Sequence, residues 1–424
     1  MIRLIEAKNF RSLRYISQPL GDFQVLVGAN ASGKTTFLDV ITFIADLVMN
    51  GVDFAITERT RTFEELTFAG KGGDIELAIE MAIPAELQKS LPENKFDRIR
   101  YEVRFGITKE TKEHAIHEER VLLLNAEHAR RINGHNLRIA FPEYLEIDQK
   151  VINQNYNHGQ SKLIIKKKEG GNDNFYPESR KDRGGGWLPS FKLGIKKSAL
   201  GNLPADVTLF PCSSWLKNIL SEGVQMFILD SLNIRQASPP GQGLKFKTDG
   251  SNLPWVIEDL KKKDISAYQN WIEHVRTALP DILEIKTIER ADDRHRYVKV
   301  VYANDMEVPS WLVSDGTLRL LALTLPAYLP NFDGVYLIEE PENGIHPRAI
   351  ETVFQSLSSV YNAQILLASH SPVILSMVDL KDVLCFAKTS EGIADIVKGI
   401  DHPMLRNWKG DTNLSVLFAG GVLT

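Results

Sequence analysis

Cysteine is nearly missing: the 424 residues hold two, Cys212 and Cys385. Two thiols cannot build a disulfide framework or a cysteine-rich zinc site, and the usage fits a reducing cytoplasm. No apolar stretch approaches the roughly 18 residues that a membrane helix needs. The best run, Leu318 to Leu329, is interrupted by Arg319 and Pro326. Arg3, Glu6 and Lys8 stand where a signal peptide would be apolar, so a soluble, cytoplasmic protein with no membrane partner is expected. A surplus of positive charge is lacking too. The formal net charge is −4, so any nucleic-acid surface must be local rather than global. No internal repeat and no sustained heptad pattern runs along the chain, which excludes a long coiled coil.

What is present is an ordinary globular composition, 43% hydrophobic and 25% charged. It suffices for a sizeable core spread over roughly two or three domains. Three regions differ in character: 1–125, 126–245 and 246–424. In the first, Val25-Leu26-Val27 is a short apolar run ending in glycine, as a buried strand would be. Phe37 to Met49 is apolar and long enough for a helix, which Asn50-Gly51 ends. Ile75, Leu77, Ile79 and Met81 alternate, and Tyr101 to Phe105 follow the same style, so both stretches read as antiparallel strands.

Between that strand and that helix lies Gly28-Ala-Asn-Ala-Ser-Gly33-Lys34-Thr35, a full match to GxxxxGK[ST] in the context the motif requires. Backbone N–H groups and a helix N-terminus would face phosphates there. Gly28, Asn30, Ala31, Ser32, Gly33, Lys34, Thr35 and Thr36 are the expected contacts to ATP. Lys34 reaches the β- and γ-phosphates, and Thr35 holds Mg2+.

The last third narrows the choice among phosphate-loop enzymes. Val335 to Ile338 form a buried-strand run ending in Glu339-Glu340-Pro341. A carboxylate at a strand tip can hold Mg2+ through water, and a second beside it can polarise the attacking water. Glu339 is assigned to the metal and Glu340 to the general base. Ile365 to Ala368 form another apolar strand, ending in Ser369-His370-Ser371-Pro372. A histidine at such a tip lies where parallel sheets bind ligands, within reach of a γ-phosphate. Ser314 caps a helix that begins Asp315-Gly316-Thr317 and could present its N-terminus to an anion.

Together these residues resemble the SMC/RecF/OLD-type branch of ABC ATPases, in particular the stand-alone prokaryotic AAA_21-like ATPases. The matching residues are Asn9-Phe10-Arg11-Ser12, the phosphate loop, Asp249 to Leu253, SDGTLRLLAL at 314–323, LIEEPENGIHP at 337–347 and ASHSP at 368–372. The resemblance implies a P-loop NTPase of ABC-ATPase type. Its α/β architecture would have a mixed central sheet, an antiparallel β subdomain and a helical or irregular insertion at 126–245. It adds Arg11 to the nucleotide contacts and makes Ser314, Asp315 and Gly316 the signature, acting on ATP held by a second head. Asn343 to His346 become the D-loop and His370 the switch histidine. A homodimer or higher homo-oligomer through ATP-bridged heads follows. Glu339 stands where the family usually has aspartate. No glutamine lies between Phe37 and Leu87, so the Q-loop residue is unassigned.

The insertion offers two further readings. Five of the ten histidines, His114, His117, His128, His135 and His158, fall within it or at its edge; a nuclease metal site is thinkable there, but no carboxylate or cysteine stands at ligand spacing, which favours solvated loops. From His158 to Leu200 lie ten Lys or Arg against four Asp or Glu, with Gly184-Gly185-Gly186 and Lys166-Lys167-Lys168, a loop composition. Phe175, Tyr176, Trp187 and Phe191 among those charges suit nucleic acid, and equally suit a loop anchored by aromatics or a docking surface. The expectation is an ATP-hydrolysing switch in DNA-linked work such as prokaryotic anti-phage defence. About 50 residues follow His370, too few for a Toprim nuclease domain, so a separately encoded subunit would supply any effector or nuclease. The alternative is a slow-turnover sensor that holds a toxin or effector inactive without touching DNA.

Overall fold

Strands and helices follow the two periodicities of the sequence in a computed structural model that describes residues 1–91, 95–126, 139–143, 150–152, 161–178, 189–330, 332–405 and 414–420. Two compact units emerge. The first comprises Met1–Val224 and Leu380–Gly410 with the last three residues, the second Gln225–Asp379 with Asp411–Gly421.

In the first unit an eight-stranded antiparallel sheet runs β2-β1-β4-β5-β6-β7-β8-β9. Its strands are β1 (Ile2–Phe10), β2 (Leu13–Pro19), β4 (Ile75–Ala82), β5 (Arg98–Ile107), β6 (His114–Leu124), β7 (Ser161–Lys168), β8 (Asp173–Phe175) and β9 (Ser190–Phe191). Beside it β3 (Phe23–Gly28) pairs in parallel with β16 (Val383–Lys388), which in turn pairs antiparallel with β17 (Ala394–Lys398). Helix α1 (Lys34–Asn50) connects the two layers because it is apolar on both flanks. Phe43 stacks on Phe105 of β5 at 4.9 Å and meets Phe10 of β1 edge-on, while Phe37 meets Phe386 of β16 at 5.5 Å. Burial of side chains this size stabilises by roughly 1.5–3 kcal/mol each.

Other positions of that sheet bury charge. Arg100 is 5% exposed and donates to Glu6, Glu80 and Glu102, and to the carbonyl of Val151. Burial pushes the Glu80 carboxyl above its ordinary range, against the pull of Arg100.

The basic stretch departs from the loop expected for it. Lys166-Lys167-Lys168 lie in β7, opposite Arg120, Glu119 and Glu118 of β6. Lys167 is 4% exposed, and its Nζ donates to Asp173 Oδ1 and Gly194 O, both at 2.8 Å. Phe175 is fully buried and stacks on Phe191 at 5.1 Å. An inward lysine is tolerated there because a carboxylate neutralises it and a carbonyl accepts a hydrogen bond from a second N–H. Trp187 and the Gly184–Gly186 run fall outside the described residues.

The second unit carries the other half of the α/β pattern. β14 (Gly334–Glu339) and β15 (Ala363–Ala368) pair in parallel, each buried along nearly its whole length as the apolar runs dictate. A three-stranded antiparallel sheet, β11 (Ile282–Glu289), β12 (Arg296–Tyr302) and β13 (Glu307–Pro309), lies beside two helices. The stretch 253–279 reads as one helical segment but breaks at Asp264, whose side chain accepts from Ala267 N and starts the second helix, Ile265–Ala278. Ser213 to Leu229 likewise looks helical in sequence, but Pro211–Asn218 is helix and β10 (Val224–Phe227) is extended. Trp271 is fully buried with its Nε1 on Thr324 Oγ1 at 2.9 Å, a packing role.

Candidate functional site

The phosphate loop belongs to the first unit. β3 delivers the chain to Gly28 beside Phe386 of β16, and a Cβ at Gly28 would lie 2.2 Å from the Phe386 carbonyl oxygen. Only glycine lets the loop leave the sheet so close to a neighbouring strand. Ala29, Asn30 and Ala31 are exposed, Ala31 in the left-handed region at φ 61, and the chain turns inward through Ser32, Gly33 and Lys34. Gly33 opens α1 at φ 111, where a side chain would be strained and would also meet Ala394 and Ser12.

The start of α1 has neither a side-chain cap nor an acidic residue in its first turn. A helix that begins this way leaves N–H groups and the positive end of its dipole for an anion. Ser32 Oγ is buried with no hydrogen-bond partner, an orphan hydroxyl beside that N-terminus. Lys34 is 8% exposed, and its Nζ reaches back to the Gly28 and Ala29 carbonyls at 2.8 and 3.0 Å. Thr35 is exposed and Thr36 half-buried on the first turn. These features fit a nucleotide phosphate chain. Arg11, in a left-handed turn at φ 49, instead places its guanidinium on Asp39 of α1 at 2.9 Å.

The second unit holds the carboxylates. β14 ends at Glu339, whose Oε1 is buried and without a partner, an acceptor free for a metal-bound water. Glu340 follows in a left-handed backbone, φ 46, with its N–H on the Ala368 carbonyl at 2.8 Å. Asn343 Nδ2 holds Glu340 Oε2 at 2.6 Å, and His370 Nε2 stands 4.0 Å from Glu340 Oε1. Glu340, Asn343 and His370 are thus gathered at the tips of two adjacent parallel strands. Sequence reading missed Glu342, whose Oε1 accepts from Ser369 Oγ at 2.8 Å and from His370 N at 2.9 Å. Its only signal was an acidic residue two places past Glu340.

The segment expected to act as a signature, Ser314 to Gly316, lies in the same unit. Ser314 caps the helix Asp315–Thr324, its Oγ accepting from Thr317 N at 3.2 Å. Ser314 and Asp315 are exposed. Arg235, also missed, clamps Asp315 Oδ1 from Nε and Nη2 at 2.7 Å each and donates to Trp311 O. Gly316 packs on the turn at 343–346, where a Cβ would come within 2.7 Å of Gly344 O, and Arg319 Nη1 approaches Asn343 O at 3.4 Å. At the end of that turn, His346 caps the helix Pro347–Ser358.

The two described histidines at the edge of the insertion are tied to carboxylates. His114 Nδ1 meets Asp53 at 2.9 Å, while His117 bridges Glu169 at 2.6 Å and Asp74 at 3.5 Å. His128, His135 and His158 lie outside the described residues. Among the described residues no cluster of His, Cys, Asp and Glu is arranged to hold a metal ion, and no helix is long and apolar enough to cross a membrane.

No curated protein matches the chain in sequence. Its fold is similar to that of an Smc head in the crystal structure of the head bound to the C-winged helix domain of ScpA. That match has 14% identity and a TM-score of 0.51, over 93% of this chain and 96% of the other. A Pyrococcus furiosus Smc head with an extended coiled coil, bound to the C-terminal domain of ScpA, matches at 14% identity and TM-score 0.48 over 93% and 95%. The Thermotoga maritima SMC head matches at 10% and 0.44 over 94% and 98%. The likeness is one of fold: a P-loop NTPase with the head architecture. The family model described as "AAA domain, putative AbiEii toxin, Type IV TA system" matches residues 23–135 and 235–376, well over half of the sequence. That match, which spans the phosphate loop, the acidic strand tip and the Ser314-capped helix, shows that the chain belongs to this AAA_21 family of SMC/RecF-like, ABC-type ATPases.

Proposed function

We propose that this chain binds Mg·ATP on Gly28–Thr36 and hydrolyses it with Glu340 as general base, as a switch whose two copies close on nucleotide. The observation that carries the reading is the constellation at the strand tips: Glu340 held by Asn343 and flanked by His370. Lys34 supplies the cation for the β- and γ-phosphates, and Ser32 and the α1 N–H groups take the remaining charge. Glu340 accepts the proton of the attacking water, and His370 steadies the γ-phosphate. Magnesium, once bound, offsets the charge that develops on the phosphate oxygens; Thr35 and Glu339 are the residues that would hold it. Exposed Ser314 and Asp315, with Gly316, would complete the site of a second copy.

Lys34→Ala is expected to abolish binding of a fluorescent ATP analogue, since cradle and cation act on the same phosphates. Glu340→Gln is expected to retain binding and to slow phosphate release by about 10²-fold or more. Light scattering of Glu340→Gln should then show a doubled mass with ATP and the monomer mass without. Full turnover in Glu340→Gln defeats the assignment of the base, and an ATP-independent mass defeats closure of separate copies.

For the biological setting we propose prokaryotic defence with a separately encoded effector, in line with the family's toxin–antitoxin description. The burial of Lys167 and Phe175 favours the slow-turnover switch that holds an effector over direct work on DNA, because it withdraws a cation and a ring from any nucleic-acid surface. Stimulation of turnover by DNA would reverse that preference.

A further inference from the structure

We propose that Glu342 is the positioning residue of the hydrolytic site, ordering the His370 loop against the turn that carries Glu340. This rests on the reading of Glu340 and His370 given above and adds a third residue to it. Glu342 sits two places beyond Glu340, yet its carboxylate serves the other strand tip. Its Oε1 accepts from the Ser369 hydroxyl at 2.8 Å and from the His370 amide at 2.9 Å. The Ser369 hydroxyl in turn accepts the Ser371 amide at 3.0 Å, and Ser371 caps the helix Pro372–Met377. Residues 369–371 are therefore fixed through one carboxylate oxygen.

A second tie runs the other way, from Glu340 N to Ala368 O at 2.8 Å. The two loops are bonded on both sides of the 4.0 Å approach between Glu340 and His370. Ser369 is fully buried, and Glu342 Oε2 is also shielded from solvent, so the Ser369 end of this pair is sheltered from water. Charge-assisted bonds of this kind are short and directional, which suits a device that fixes a backbone.

A carboxylate in this turn has two rival roles, as a metal ligand or as the base itself. Glutamine separates them from positioning. Its amide oxygen still accepts from Ser369 and His370, but it carries no charge for a metal or a proton. The experiment measures binding of a fluorescent ATP analogue with Mg2+ and steady-state phosphate release for Glu342→Ala, Glu342→Gln, Ser369→Ala and Glu340→Gln. Glu342→Ala is expected to bind within about 3-fold of wild type while kcat falls on the order of 10- to 100-fold, the scale of losing alignment at a reacting centre. Glu342→Gln should recover to within about 3-fold of wild-type kcat, and Ser369→Ala, which removes one of two donors, should fall between. A kcat for Glu342→Ala within about 2-fold of wild type overturns the proposal. So does a Glu342→Gln as slow as Glu342→Ala, which would give the charge itself the chemical role. Should Glu342→Ala fail to fold by circular dichroism, Glu342→Gln and Ser369→Ala decide alone by the same criteria. Glu340→Gln reports separately: if it turns over normally, the base assignment fails while the ordering of the Glu342 variants still stands or falls on its own.

Discussion

Gly28→Ala isolates a steric demand from a conformational one. Gly28 is not in the left-handed region, so alanine costs nothing through φ; the whole effect must come from contact. The added Cβ would lie 2.2 Å from Phe386 O, 2.7 Å from Ser32 Oγ and 2.9 Å from Phe386 Cβ. The nearest obstacle is backbone in a paired strand, so no rotamer change relieves it. β3 and β16 must separate by about an ångström, against the dense packing of Phe37 on Phe386. Overpacking of this kind costs about 1–3 kcal/mol and at times more, so we expect a loss of about 3 kcal/mol. Gly170→Ala is the control: nothing lies within 4 Å, but φ is +74, so its cost is the left-handed backbone alone, about 1 kcal/mol. Urea unfolding followed by circular dichroism compares both variants with wild type, and titration with an ATP analogue reports the cradle. A Gly28→Ala protein with an unchanged midpoint and wild-type affinity would refute both the close approach and the role of this glycine.

Three other perturbations read separate parts of the molecule. Glu119 is fully buried on Ser198, Ala199, Leu200 and Tyr101, and burial raises its carboxyl above the usual range. The stability it contributes is present below about pH 4.5 and is lost as pH rises from there through the raised value, so over that rise wild type should lose stability relative to Glu119→Gln, by up to about 1.4 kcal/mol per pH unit. A pH-independent difference in urea midpoints would contradict this. Burial pushes the Cys385 thiol up to about 12 and the Cys212 thiol higher still, so an aromatic disulfide reagent at pH 8 should label neither in the folded protein and both in guanidinium. Gly316→Ala presses a Cβ to 2.7 Å from Gly344 O; a loss of about 1–3 kcal/mol in melting experiments should come with slower turnover, because the displaced loop holds Asn343 on Glu340.

Much of this was legible in sequence because it is local. The glycine loop sits between an apolar run and a helical run, and β14 and β15 are apolar runs ending in chemistry-bearing residues. The roles of Glu342 and Arg235 were not legible, since each depends on a partner many residues away that only folding supplies. Lys167 misled for a related reason: composition assigns lysines to solvent, while β7 turns this one inward toward Asp173. The break at Asp264 was hidden because the apolar period runs across it. Nor does composition signal that β16 and β17 return to the unit of the phosphate loop, although Phe386 is what makes Gly28 necessary.

Glu340 occupies a backbone conformation, φ 46, that L side chains other than asparagine and aspartate rarely tolerate. Holding a glutamate there costs about 1–2 kcal/mol that glycine at the same position would not incur. Activity and robustness therefore pull in opposite directions at this one position. A variant library sorted for heat resistance alone would enrich for proteins that melt later and no longer turn over, so any search for a hardier form has to score phosphate release alongside melting.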